Sequence, residues 1–232
     1  MSTITIYEYA LMSADVYSDT AINPALAKFD WQRDNTIACA PFDHGFFARL
    51  YYKPTISHYV LALRGTLLDQ LGTVFADAQF AFGDRPTLYK QAVAFYTDVC
   101  QALKEGIQKA QANVSTTGHS LGGIMAKLLG VDYDLMTVAF NAPGIGDMSG
   151  VVSGQPHRNI LNIDSREGAI NKFGPSIGQT IKINVKEGNE ACKIADDTKF
   201  PVSEVECVYK KHSIDDMVSS LLGDPRVADM TR

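Results

Sequence analysis

Residues 118–123 read Gly118-His119-Ser120-Leu121-Gly122-Gly123, a run that contains G-x-S-x-G. It follows the β-branched stretch that starts at Val114 and precedes a helical spacing of Leu121, Ile124, Met125 and Leu128. The motif therefore stands where a strand must turn sharply into a helix, the setting of a nucleophile elbow. A serine at the tip of that turn faces outward from a strained backbone. Gly118 and Gly122 carry no Cβ and let strand and helix approach closely. The N–H of Leu121, at the helix start, aims at a developing oxyanion. An ordinary glycine-rich β–α turn with an idle serine would carry the same letters.

A serine hydroxyl is a weak nucleophile near neutral pH and needs a base held in place by an acid. On a sheet of this type the chain order is Ser, then Asp or Glu, then His. His44 and His58 precede the serine, His119 lies inside the elbow, and His157 precedes the best acids. His212 remains, at the junction of the last strand-like run and the last helical one. Asp164 directly follows the strand-like run 159–163 and is assigned the orienting role. Glu167, three residues on, stays open as the alternative, and Asp147 follows the preceding strand by a longer loop. A second oxyanion donor must come from another strand end. Leu63-Arg64-Gly65-Thr66 leaves an apolar strand, and Thr66 offers both an N–H and a hydroxyl.

Positioning these groups requires elements of two periods. Ile6, Tyr7, Ala10, Leu11, Ala14 and Tyr17 recur at spacings of three and four and predict a first helix. Strands are expected at 45–52, 56–63, 114–117, 135–140, 159–163, 180–185 and 202–209. Asp84 and Pro86 open a long amphipathic helix with Leu88, Ala92, Phe95, Val99, Leu103 and Ile107 on its buried stripe. A last helix is expected at 213–222, and 186–201 reads as a polar loop. Strands alternating with helices predict an α/β fold, a mostly parallel sheet with helices on both faces. No repeat or linker interrupts the chain, which reads as one domain over residues 1–232.

The 232 residues carry 21 basic and 26 acidic side chains, a net charge of −5, which is no nucleic-acid footprint. The longest uncharged run, 110–126, is rich in Thr, Ser and Gly, so no transmembrane segment is expected. Acidic residues within the first twenty argue against a secretory leader. The expectation is a cytoplasmic chain, with leaderless export compatible. Cysteines at 39, 100, 192 and 207 form no C-x-x-C pair, and Cys192 with Cys207 is the one pair worth testing for a bridge. The sequence holds no P-loop, H-E-x-x-H or G-x-G-x-x-G, so neither cofactor nor metal is expected.

From about Tyr59 to Leu222 the pattern resembles the class 3 lipases, the fungal-type triacylglycerol lipase family of α/β-hydrolases. Leu61-Ala62-Leu63-Arg64-Gly65-Thr66 looks like that family's strand ending in Phe-Arg-Gly-Ser/Thr, with Leu63 in place of Phe. Val74-Phe75-Ala76-Asp77 looks like its Trp-Ile-Ala-Asp segment, which implies that Asp77 orients the Thr66 hydroxyl. The elbow, including the histidine before the serine, and the C-terminal His212 also match. Phe140-Asn141-Ala142-Pro143-Gly144-Ile145-Gly146-Asp147 is similar to a loop whose last residue is not catalytic. The motif that follows the family's triad acid is replaced by Ser165-Arg166-Glu167-Gly168. The missing terminal extensions make the chain look like a compact bacterial-type relative.

The resemblance implies a hydrolase of carboxylic esters of lipids, a lipase or phospholipase of the A type, with transient contact to a membrane surface. In the family the apolar region corresponding to 67–83 forms or supports a lid; a helix packed into the core would read the same. An acyltransferase or thioesterase would share the triad. A bacterial lipase effector would add an immunity or chaperone partner. A non-catalytic binding module on the same scaffold is the remaining reading.

Overall fold

The apolar run of β3 (His58–Leu63) leaves no side for water: Val60, Leu61, Ala62 and Leu63 are all fully buried. The computed structural model describes residues 4–35, 37, 45–65, 85–103, 113–152, 154–166, 168, 173–185 and 213–222. Among these residues β3 lies third of seven strands in one sheet, whose spatial order follows the chain. β1 (Gln32–Asp34) and β2 (Ala48–Lys53) form an antiparallel edge that pairs with β3. β3, β4 (Val114–His119), β5 (Met136–Phe140), β6 (Ile160–Ser165) and β7 (Gln179–Ile183) run parallel. The mostly parallel α/β sheet expected from the alternation of elements is present. β1 was not legible, because three polar residues become a strand only through their pairing with Leu50, Tyr51 and Tyr52.

Side chains alternate along each strand and so feed two cores. Leu50, Leu61 and Leu63 join one cluster, closed by α3 (Thr87–Ala102) and α4 (Leu121–Tyr133). Tyr51, Val60 and Ala62 join the other, closed by α1 (Ile6–Asp15) and α5 (Ile214–Leu221). Crossovers between neighbouring parallel strands explain this division. In a sheet laid down in chain order, crossovers of one hand all fall on one face. Accordingly Ile145 and Met148, between β5 and β6, and Ile177, between β6 and β7, pack with α3 and α4. The opposite face is left to α1 and α5, which pack against each other.

The α3 stripe matches its spacing, with Ala92, Phe95 and Val99 buried. α1 departs from expectation. Ile6, Ala10 and Leu11 are buried as predicted, but so are Glu8, Ser13 and Asp15. The helix is enclosed by sheet and α5, and each of these polar groups finds a partner. A short α2 (Pro24–Lys28) follows, with Asn23 accepting from the Ala25 N–H at 2.9 Å and proline at its first position. Among the described residues no helix is long and apolar enough to cross a membrane. The strand expected at 202–209, the stretch 67–83, the 186–201 loop and Cys39, Cys192 and Cys207 lie outside the described residues.

Candidate active site

Ser120 occupies the single residue between β4 and α4, at φ 57° and ψ −126°. An L-residue pays strain for that conformation and holds it only where its surroundings enforce it. Here the Ser120 N–H donates to the Phe140 carbonyl at 3.0 Å and its carbonyl accepts from Ile124 N–H at 3.1 Å. Strand and helix also meet without side chains between them. A Cβ on Gly118 would strike the Gly122 backbone, and one on Gly122 would strike the Leu63 carbonyl. The Ser120 hydroxyl makes no capping bond to α4, and the residue as a whole is 3% exposed. Leu121 opens α4, so its N–H is among the unpaired donors of a helix N-terminus.

Strand register carries the geometry outward from the serine. Leu63 pairs with Gly118, Gly118 with Ala139, Phe140 with Ile163, and Asp164 with Lys182. The Ser120 and Asn141 N–H groups continue these ladders one step beyond the strands. Gly65, Ser120, Asn141 and Asp164 therefore lie abreast at the C-terminal edge of the sheet. Two strand spacings separate Ser120 from Asp164, about 10 Å, a gap that one imidazole spans.

Asp164 is buried, at 3% exposure. Burial pushes its carboxyl up to about 6, against the pull of Lys127 and Lys182. Its Oδ1 has no hydrogen-bond partner among the described residues. Asp147, by contrast, is exposed. Thr66, Glu167, Asp77 and His212 lie outside the described residues. Ser213, next to His212, caps α5 by accepting from the Asp216 N–H at 3.4 Å. The other described histidines are engaged elsewhere. His58 Nε2 sits 2.9 Å from Ser115 Oγ, at the far end of β4, and burial lowers it to about 4. His157 contacts the Val152 carbonyl at 3.1 Å, ahead of β6.

Sequence reasoning missed the contribution of Tyr17. Its hydroxyl accepts from the Gly65 N–H at 3.0 Å and lies 3.2 Å from His119 Nδ1. Burial keeps the phenol protonated by raising it far above 10. One hydroxyl thus ties the exit of β3 to the elbow. Its place belongs to a longer ladder. Tyr9, Ser13 and Tyr17, one helical turn apart, meet Ser115, Thr117 and His119, two strand residues apart. The repeats agree, because four helical residues rise about 6 Å and two strand residues about 6.6 Å. Lys127 was missed as well: it is wholly buried, with its ammonium on the carbonyls of Ala142 and Pro143.

Among the described residues no group of three His, Cys, Asp or Glu side chains gathers that could hold a metal. A cleft of about 350 Å³ beside Arg33, Phe47 and Arg49 and one of about 450 Å³ beside Asp134, Gln155 and His157 both lie away from Ser120.

Comparison with known proteins agrees with this fold. The chain resembles the lipase from Rhizopus microsporus var. chinensis at TM-score 0.54, with 16% identity over 93% of this chain and 87% of that one. It resembles the Lip2 lipase from Yarrowia lipolytica at TM-score 0.53, with 16% identity over 79% of this chain and 82% of that one. These likenesses establish the α/β-hydrolase fold. In sequence the chain is 39% identical over 64 residues to ATG15 of Vanderwaltozyma polyspora, a protein that carries the name of a lipase. That match takes in 28% of this chain and spans only 10% of the yeast protein. A 32-residue match to ATG15 of Scheffersomyces stipitis reaches 66% identity, over 14% of this chain and 5% of that protein. The Tle-like phospholipase domain matches residues 8–155, more than half of the chain, from α1 through the elbow to the connection before β6. The chain belongs to the Tle-like phospholipase domain family.

Proposed function

We propose that the chain is a serine hydrolase that cleaves carboxylic esters of lipids, of the lipase or phospholipase A type. In this reading Ser120 is the nucleophile, His212 the base and Asp164 the acid that orients it. Leu121 N–H and Thr66 hold the oxyanion. The observation that carries the reading is Ser120 itself, a strained residue whose hydroxyl makes no capping bond to its helix, abreast of a buried carboxylate two strands away. Membership of a phospholipase-like family supports the substrate class.

Ser120 Oγ attacks the ester carbonyl while His212 takes its proton. The negative charge on the carbonyl oxygen meets the Leu121 N–H and Thr66. The C–O bond to the alcohol breaks as His212 returns the proton to the leaving oxygen. Water then attacks the acyl-enzyme, losing its proton to His212, and the carboxylic acid departs as Ser120 regains its own. Asp164, buried at the sheet edge, stabilises the imidazolium in both halves.

A fluorophosphonate probe combined with a panel of phospholipid, triacylglycerol, thioester and simple ester substrates tests this reading. Wild type should be labelled and hydrolyse a lipid ester, and Ser120→Ala should lose labelling and about 10⁶-fold in kcat. Asp164→Asn should lose about 10⁴-fold, whereas Glu167→Gln should keep near-normal rates. A labelled, active Ser120→Ala would assign the chemistry to another nucleophile. Preference for thioesters would move the substrate class.

A further inference from the structure

Lys127 is the seventh residue of α4 and has no exposed surface. Its ammonium donates to the carbonyls of Ala142, at 3.4 Å, and Pro143. A fully buried ammonium is expensive, and an apolar side chain of the same size would suit this oily face without that cost. Its surroundings indicate what the charge acts on. The 142–143 backbone follows Asn141, whose N–H donates to the Ile163 carbonyl at 3.0 Å and whose Oδ1 accepts from Ser165 N–H at 2.7 Å. Those two bonds bracket Asp164. Alternation along β6 does the rest. Ile163 packs in the α1 core, so Asp164 faces the α4 side of the sheet, where Lys127 lies.

We propose that Lys127 is a positioning residue for the triad acid, fixing the 142–143 backbone under the elbow and holding Asp164 as the carboxylate that pairs with His212. This rests on the Ser120–His212–Asp164 reading. The charged groups around the carboxylate are few. Among the described residues Lys127 from α4 and Lys182 from β7 act on Asp164, while Asn141, after β5, is uncharged. Lys182 is exposed and water screens it; Lys127 is not screened. Burial lowers Lys127 to about 8 and Asp164 restrains that fall. Removing the buried positive charge raises the affinity of both acid and imidazole for protons, so the pair titrates higher whichever group is followed.

The test is the pH dependence of kcat/KM on a neutral p-nitrophenyl ester for wild type, Lys127→Gln and Asp164→Asn, with thermal melts alongside. Lys127→Gln keeps polar contacts to the carbonyls and removes the charge. Its acidic limb should move up by about one pH unit, with kcat lowered and KM unchanged. An acidic limb that superimposes on wild type, whatever the melting temperature, overturns the proposal. Should Lys127→Gln not fold, wild type labelled with ¹³C at lysine and aspartate gives the answer. The Lys127 ε-carbon should titrate well below 10.5 and respond to the Asp164 transition; an ordinary, independent titration overturns the proposal. Asp164→Asn separates the two layers. If it retains full kcat, the triad reading itself fails. If it loses kcat while the Lys127→Gln limb stays put, only the role of Lys127 fails.

Discussion

On the face covered by α3 and α4, the packing is Phe95, Val99, Met125, Leu128 and Leu129 against Leu61 and Leu63. On the face covered by α1, the carboxylates of Glu8 and Asp15 and the hydroxyls of Tyr9 and Ser13 are buried alongside the apolar groups, and Tyr17 is half-buried. Glu8 accepts from Lys53 at 2.6 Å and Trp31 at 2.8 Å, and Asp15 from Tyr51 at 2.6 Å and Arg33 at 2.9 Å. Tyr9, Ser13 and Tyr17 bond to β4 and its elbow. A hydrogen bond tolerates a smaller axial shift than a non-directional apolar contact does. The oily face therefore supplies stability, and the α1 face fixes where the helix stands along the strand that carries Ser120.

Truncation on the oily face breaks this division most forcefully. Phe95→Ala should lower the unfolding free energy by about 3–5 kcal/mol, seen as a lower urea midpoint, with turnover per folded molecule unchanged. A matching fall in turnover would erase the distinction between faces. Next comes Glu8→Gln, which leaves the Lys53 ammonium buried without its counter-charge and should cost about 3 kcal/mol. Burial alone would raise the Glu8 carboxyl, but Lys53, Thr5 and Trp31 outweigh it and bring it below 4.5. A depressed carboxyl stabilises the fold above its unfolded value, and that contribution disappears as pH falls through the folded value. Acid titration of stability should thus be steeper in wild type than in Glu8→Gln.

Tyr17→Phe sharpens the comparison in the other direction. It should cost only about 1 kcal/mol of stability. Turnover should fall by roughly ten- to a hundredfold, because the β3 exit is no longer tied to the elbow. An unchanged kcat with a large stability loss would make Tyr17 structural only. The smallest effect concerns Ser13 and Thr117, 2.9 Å apart. Thr117 donates to the Val138 carbonyl at 2.7 Å, so Ser13 is the donor between them. A double-mutant cycle of Ser13→Ala and Thr117→Val should give a coupling of about 0.5–1 kcal/mol.

The same division governs what the sequence discloses. α3, α4 and the parallel strands follow from periodicity, and the strained serine from its glycines. Asp164 follows from its place one residue beyond an apolar run. What stayed hidden is the polar half. Glu8, Ser13 and Asp15 look solvent-facing on a helical wheel, and the partners named above lie 18 to 104 positions away in the chain. Lys127 is the exception on the face covered by α4: it stands in a helix interior where a lysine ordinarily marks the wet side. A buried polar pair leaves no periodic trace, because its period belongs to two separate elements. α2 was a different case: Asn23 and Pro24 are a legible start signal, but five residues give too little pattern to follow it.

Because the strands are laid down in spatial order, one side of the sheet is closed by elements that arrive as the strands do. The other side waits for α5, which leaves the ribosome some two hundred residues after α1. At typical synthesis rates that interval is roughly 10–40 s. Through the second half of it, once β4 has been made, α1 and the strand behind the elbow present a half-covered surface to water. Hydroxyls and carboxylates bear such a wait better than leucines would, since an apolar surface left open invites premature association. The polar stripe that registers the finished molecule is thus also suited to the nascent one.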